Sequence, residues 1–88
     1  MPYVEQYRRQ KLDQIVELME DAGIVANGDL NYILYKFAMK KCNSYNTYKN
    51  YLGELAEVSA EIRRRLLAPY EETKIISNGD VIWDIIIF

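Results

Sequence analysis

Hydrophobic residues recur at helical spacing over three stretches of the chain. In residues 4–22 they follow the i, i+3, i+4, i+7 pattern of an amphipathic helix: Leu12, Ile15, Val16, Met19 and Ala22. In residues 30–42 they again line one face, with Lys41 at its rim: Leu30, Ile33, Leu34, Phe37 and Ala38. The pattern predicts two helices joined by a loop, with Gly23 ending the first and Asp29 capping the second.

The longest stripe lies in the third stretch, residues 46–68. Apolar or small residues recur there in alternating steps of four and three: Tyr48, Leu52, Leu55, Ser59, Ile62 and Leu66. The stripe predicts one continuous helix, which Pro69 is expected to end because proline disfavours helical geometry in the residue before it. Three residues are alternative caps for its start: Asn43, Ser44 and Asn46. Gly53 lies inside this helix, where glycine costs about 1 kcal/mol relative to alanine. Such a glycine is often kept because a neighbouring backbone or aromatic ring must come close, so we predict a helix crossing at Gly53.

After Pro69 the pattern changes. Residues 73–88, TKIISNGDVIWDIIIF, place β-branched residues on both sides of Asn78-Gly79, a strong signal for a type I′ hairpin turn. We expect residues 73–77 to pair with residues 80–84, leaving an apolar tail at 85–88. Either this tail packs across the helices or it is buried between subunits. Because an apolar strand edge invites pairing with another chain, homo-oligomerisation through the tail is the hypothesis.

The predicted fold class is therefore mainly α, in a single domain over residues 1–88. Three helices with short connections are expected in an antiparallel arrangement, followed by a C-terminal β-hairpin or extended tail.

Composition removes most catalytic and metal chemistry. The 88 residues include no histidine and one cysteine, Cys42, so the commonest general base and metal ligand are missing and no internal disulfide is possible. No glycine-rich phosphate loop or nucleophile with a base occurs in the sequence. We therefore predict a protein that is not an enzyme and that has no catalytic residue, metal site or cofactor. The polar N-terminus and the lack of an apolar run of roughly 20 residues predict a cytoplasmic protein without membrane contact.

Positive charge is concentrated in residues 30–52, although the net charge is −2. This segment has no acidic residue and four lysines: Lys36, Lys40, Lys41 and Lys49. Five tyrosines lie among them: Tyr32, Tyr35, Tyr45, Tyr48 and Tyr51. Because aromatic rings stack on bases and cations neutralise phosphate, the cluster is a candidate nucleotide site. The alternative is that the tyrosines fill the edge of a small core with their hydroxyls in water. Nucleic acid is disfavoured as a partner by the acidic net charge.

Several short motifs also bear on function: Leu30-Asn31-Tyr32, Gly53, Glu61, Arg64-Arg65, Ala68-Pro69-Tyr70-Glu71, Lys74 and Asn78-Gly79-Asp80-Val81. Over about residues 1–81 they resemble a small family encoded by bacteriophages and prophages and classed as a domain of unknown function. The resemblance implies a small binding protein in the host cytoplasm, which sequesters a nucleotide signal or blocks a host protein as a counter-defence factor. Alternatives are a nucleic-acid-binding accessory protein and a self-associating structural component. The candidate ligand-binding residues are Asn31, Tyr32, Lys36, Lys40, Arg64, Tyr70 and Glu71. Of these, Arg64, Tyr70 and Glu71 are expected to meet Asn31 and Tyr32 of the second helix, whereas Lys36 and Lys40 point into solvent or toward an anion.

Overall fold

The computed structural model describes residues 3–80, and all of its regular structure is helical. The elements are α1 (Gln6–Asp21), α2 (Gly28–Lys41), α3 (Tyr45–Ile62), a π-helical turn (Arg63–Leu67) and α4 (Ala68–Asn78). The last three follow one another without a break, so they form the third of three long helical segments. The mainly α fold class with three helices is therefore confirmed.

The chain divides into two compact units, whose described parts are residues 3–53 and residues 54–80. The first unit contains α1, α2 and the first half of α3, and the second contains the rest of α3, the π turn and α4. The single domain over residues 1–88 stays a prediction.

Gly23 follows the end of α1, as predicted. Its φ of +74° is the left-handed conformation that glycine adopts without steric cost. The Gly23 N–H donates to the Glu20 carbonyl at 2.9 Å, and the Ile24 N–H donates to the Met19 carbonyl at 3.1 Å. These two bonds form a Schellman motif, and its two hydrophobic positions, Met19 and Ile24, are both half-buried.

The caps of α2 and α3 come from side chains just before each helix. Asn27, not Asp29, caps α2, because its Oδ1 accepts the Asp29 N–H at 2.8 Å. Asp29 instead lies in the first turn, where its negative charge complements the helix dipole. At α3, Ser44 Oγ accepts the Thr47 N–H at 3.3 Å while Thr47 Oγ1 accepts the Ser44 N–H at 2.9 Å. Of the alternative caps, Ser44 is therefore the one used, in a reciprocal capping box.

Pro69 does not end the third helix, contrary to the prediction. A proline inside a helix lacks the N–H donor, and its ring clashes with the carbonyl four residues earlier. Here the helix widens just before the proline, and the Ala68 N–H donates to the Arg63 carbonyl five residues back. Pro69 then lies in the first turn of α4, where a missing donor is best tolerated.

The predicted β-hairpin is wrong. Residues 73–77 belong to α4, and Gly79 ends that helix with φ +84° and an N–H that donates to the Ile75 carbonyl at 2.8 Å. An Asn-Gly pair suits a helix end as well as a type I′ turn, because glycine supplies the positive φ in both. Most of the predicted second strand, the tail at 85–88 and the oligomerisation predicted through it lie outside the described residues.

Packing within the first unit centres on α2 and α3. The Tyr51 hydroxyl donates to the Leu34 carbonyl at 2.5 Å, and the Tyr51 ring lies 6.3 Å from the Phe37 ring, centroid to centroid. Between the helices, the Cys42 thiol contacts the Thr47 carbonyl at 3.6 Å. The predicted face of α2 is half-buried at four positions: Leu30, Ile33, Leu34 and Ala38.

The other two predicted core stripes are mostly exposed, although Leu12 and Met19 on the α1 stripe are half-buried. Among residues 3–80 only Cys42 is buried, and on the α3 stripe only Leu55 is half-buried. No described atom lies within 4 Å of the position that a Cβ on Gly53 would take, so no described residue makes the close approach that the predicted helix crossing needs.

Candidate functional site

Four of the predicted ligand-binding residues lie on α2, in the first unit: Asn31, Tyr32, Lys36 and Lys40. All four are exposed. The Lys36 Nζ lies 5.6 Å from the centroid of the Tyr32 ring, so the ring face already holds a cation. A base that stacked on this ring would have to displace the ammonium or bind the opposite face.

The other three predicted residues, Arg64, Tyr70 and Glu71, lie in the π turn and α4, in the second unit. Arg64 Nη2 donates to Glu61 Oε1 at 2.8 Å, and the Glu61 side chain is only 12% exposed against 65% for Arg64. Arg64 is thus held on a half-buried carboxylate. Convergence with the α2 residues would join two units and stays a prediction.

A tyrosine followed four residues later by a lysine occurs as a contact pair three times. Lys36, Lys49 and Lys74 place their ammonium groups 5.6, 6.0 and 5.6 Å from the ring centroids of Tyr32, Tyr45 and Tyr70 respectively. Sequence analysis grouped most of these residues as one cluster and missed the pairing. The signal was the four-residue spacing, which places both side chains on one helix face. Such exposed pairs stabilise by about 0.5–1 kcal/mol each, so the rings contribute to helix stability whether or not they also bind a ligand.

A groove at the C-terminal end of α4 contains Glu71 and Lys74 together. Its lining is Glu71, Lys74, Ile75, Asn78, Gly79 and Asp80. The two carboxylates beside one ammonium make the groove unsuitable for a phosphate, because like charges repel. Within residues 3–80 no group of three or more acidic or cysteine side chains is arranged to hold a metal ion.

A second groove runs along one face of α1, and it combines apolar and basic side chains. It is lined by Arg8, Lys11, Leu12, Gln14, Ile15 and Leu18. Ile15 and Leu18 are 54% and 68% exposed. Sequence analysis assigned Ile15 to the core and did not single out Leu18, whose position beside the stripe was the available signal.

The second unit has exposed apolar residues along its whole length. Between residues 54 and 80 nothing is buried, and six large hydrophobic side chains from the end of α3 onward are exposed: Ile62, Leu66, Leu67, Tyr70, Ile75 and Ile76. Contiguous apolar surface of this kind marks interaction sites on soluble proteins.

Residues 1–81 match the family described as a domain of unknown function, DUF6899. The chain belongs to this family. The resemblance to a family of unknown function is thereby confirmed, over the same residues as expected, and the phage origin stays a prediction. Neither a curated protein nor a solved structure matches this DUF6899 chain. Within its described residues no helix combines the length and apolarity needed to cross a bilayer.

Proposed function

We propose that this DUF6899 protein is a non-enzymatic binding protein that docks exposed apolar helix faces on another protein. The observation that carries the proposal is the imbalance of burial among residues 3–80. One residue is buried, whereas 21 large hydrophobic side chains are at least 39% exposed. A soluble chain seldom leaves so much apolar surface uncovered unless something binds it.

The α1 groove is the surface best suited to a foreign partner. Ile15 and Leu18 lie one helical turn apart and form an apolar floor, and Arg8 and Lys11 add two cations beside it. This combination fits an acidic amphipathic helix, whose apolar anchors fill the groove while its carboxylates meet the cations. Covering the exposed half of each apolar side chain is worth roughly 1 kcal/mol.

In the setting that the motif resemblance implies, the partner is a host protein of the bacterial cytoplasm that a phage protein blocks. The test starts with capture from a bacterial lysate, after which the captured protein is identified, purified and titrated against the full chain by calorimetry. Ile15→Glu combined with Leu18→Glu should weaken binding by 100-fold or more. Ile76→Glu, at an 82% exposed position on α4, should leave it unchanged. A purified complex that is insensitive to both variants would refute the α1 docking site.

A nucleotide-binding role is the second candidate, and the three tyrosine–lysine pairs support it. Each pair offers an aromatic ring and a cation on one helix face, the two groups that a base and a phosphate use. Calorimetric titration with cyclic and linear nucleotides is the test. If the Tyr32–Lys36 pair forms the site, Lys36→Ala should weaken nucleotide binding more than Lys40→Ala, because Lys40 is not the lysine over that ring. Equal losses of affinity would indicate that charge alone holds the ligand. The affinity should then fall steeply with salt concentration, as expected for the alternative nucleic-acid-binding function.

A further inference from the structure

We infer that the Asn27-Gly28 pair is a modification site, at which the folded chain loses the Asn27 side-chain amide as ammonia and acquires an aspartate or isoaspartate. The reaction is intramolecular, and its only co-reactants are hydroxide and water. The pair lies in the connection between α1 and α2, and neither residue lines the α1 groove. The inference therefore does not depend on the docking proposed there.

The reaction joins two groups that are neighbours in the sequence. The Gly28 nitrogen gives its proton to hydroxide and attacks Asn27 Cγ, which closes a five-membered succinimide ring. The bond between Cγ and Nδ2 then breaks, and the amide leaves as ammonia after taking a proton from water. Water opens the ring at one of its two carbonyl carbons, giving aspartate or isoaspartate. Each modified chain gains one negative charge, and no electron is transferred.

The backbone of Asn27 is close to the geometry of ring closure. The ring forms where the Gly28 nitrogen eclipses Asn27 Cβ, and because the substituents of a tetrahedral Cα are spaced by roughly 120°, this requires a ψ of about −120°. Asn27 has ψ −147°, which differs from that value by roughly 30°. A helical residue, with ψ near about −42°, differs from it by about 80°.

The nucleophile and the carbonyl that it attacks are both prepared for the reaction. In the part of the chain that the structure describes, the Gly28 N–H donates no hydrogen bond, since Gly28 is the first residue of α2. Asn27 Oδ1 accepts the Asp29 N–H at 2.8 Å, and this bond also stabilises the negative charge that develops on Oδ1 when Cγ is attacked. Asn27 and Gly28 are both exposed, so hydroxide and water reach them.

Packing does not require glycine at position 28. Gly28 has no positive φ, and no described atom lies within 4 Å of the position that a Cβ would take. A Cβ would instead crowd the Gly28 nitrogen as it approaches Asn27 Cγ. The missing side chain therefore matters for ring closure rather than for contacts with the rest of residues 3–80.

The second Asn-Gly pair is an internal control with the same local sequence. Asn-Gly-Asp occurs at residues 27–29 and again at residues 78–80. Asn78 is the last residue of α4, and the Gly79 N–H donates to the Ile75 carbonyl at 2.8 Å. A helical ψ keeps that nitrogen away from Cγ, and the hydrogen bond opposes the loss of its proton. The two pairs should therefore react alike in the denatured chain and differently in the folded chain.

Peptide mapping of the full chain by mass spectrometry tests the inference. The chain is incubated at mildly alkaline pH, with and without urea, and is then cleaved after lysine and arginine. This cleavage places Asn27 and Asn78 in separate peptides, residues 12–36 and residues 75–88. In the folded chain, conversion should be at least tenfold faster at Asn27 than at Asn78, whereas in urea the two rates should agree within about twofold. Equal rates in the folded chain, or conversion of Asn27 only in urea, would overturn the inference.

Two variants test the roles of the individual groups. Gly28→Ala should slow conversion at Asn27 by tenfold or more and leave conversion at Asn78 unchanged, while circular dichroism checks that the helices still form. An unchanged rate at Asn27 would contradict the role of Gly28. Asn27→Ser keeps a capping oxygen, and it should abolish the more acidic species that isoelectric focusing resolves from the incubated wild type. Persistence of that species would place the modification elsewhere in the chain.

Discussion

Gly23 and Gly53 differ in backbone conformation, although at neither position would an added methyl group contact another residue of 3–80. Gly23 has φ +74°, whereas Gly53 lies inside α3 without a positive φ. Gly53→Ala should raise the free energy of unfolding by about 1 kcal/mol through helix propensity. Gly23→Ala should lower it by roughly 1–2 kcal/mol, because alanine is strained in the left-handed region. Urea denaturation measures both changes, and a destabilising Gly53→Ala would contradict the open surroundings of this position.

The Tyr51 hydroxyl makes a hydrogen bond that joins α3 to α2. It is half-buried and donates to the Leu34 carbonyl, so Tyr51→Phe should lower the free energy of unfolding by about 1 kcal/mol. Tyr48→Phe removes the same group from a ring that is 51% exposed and should change stability by less than about 0.5 kcal/mol. Thermal denaturation of the two variants compares them directly. Equal effects would mean that the bond contributes nothing specific.

At the scale of elements, the π turn exists to accommodate Pro69. Pro69→Ala restores an N–H donor and removes the ring, so the π turn should revert to regular α-helix. The free energy of unfolding should rise by less than the roughly 3 kcal/mol that separates proline from alanine in a helix interior, because the π turn already relieves part of that cost. Hydrogen exchange should slow at residues 66–72. An unchanged π-turn bond from Ala68 to Arg63, visible as an unchanged exchange pattern, would assign the turn another cause.

Local signals predicted the helix ends best where only one structure satisfies them. Gly23 is an example, because a Schellman glycine pairs with groups within a few residues. At α3 the sequence left Asn43, Ser44 and Asn46 as alternative caps, since each residue type can accept a free N–H. Asn78-Gly79 was misread because a hairpin and a helix end need the same positive φ, and the choice depends on what the flanking residues pack against. Pro69 was misread because a π turn leaves no signature in the residue types around it.

For the candidate site too, the sequence indicated suitable residue types but not where their side chains lie. Tyrosine and lysine were recognised as suitable for a nucleotide, yet Lys36 and Lys74 lie over the rings of their own helices. The periodicity of the α3 stripe was read correctly, but periodicity reports only that a face is apolar. Whether the same chain or another copy covers that face depends on tertiary contacts between distant residues, which a single sequence does not encode in readable form.

At the scale of the whole molecule, most apolar side chains of residues 3–80 still face water when the helices are formed. A single buried residue provides little of the hydrophobic stabilisation that must offset the conformational entropy of ordering the chain. We expect association with another chain to supply the missing burial, in which case folding and association are one coupled equilibrium. Such an equilibrium depends on protein concentration, unlike that of a self-contained monomer.

The midpoint of thermal unfolding should therefore rise with concentration. For a dimer that unfolds to two chains, a tenfold increase in concentration adds about 1.4 kcal/mol to stability. Divided by an unfolding entropy of about 2.1 cal/mol/K per residue over both 88-residue chains, this predicts a rise of roughly 4 °C per tenfold. Circular dichroism from 5 to 500 µM measures it. A constant midpoint would mean that the chain covers its own apolar helix faces.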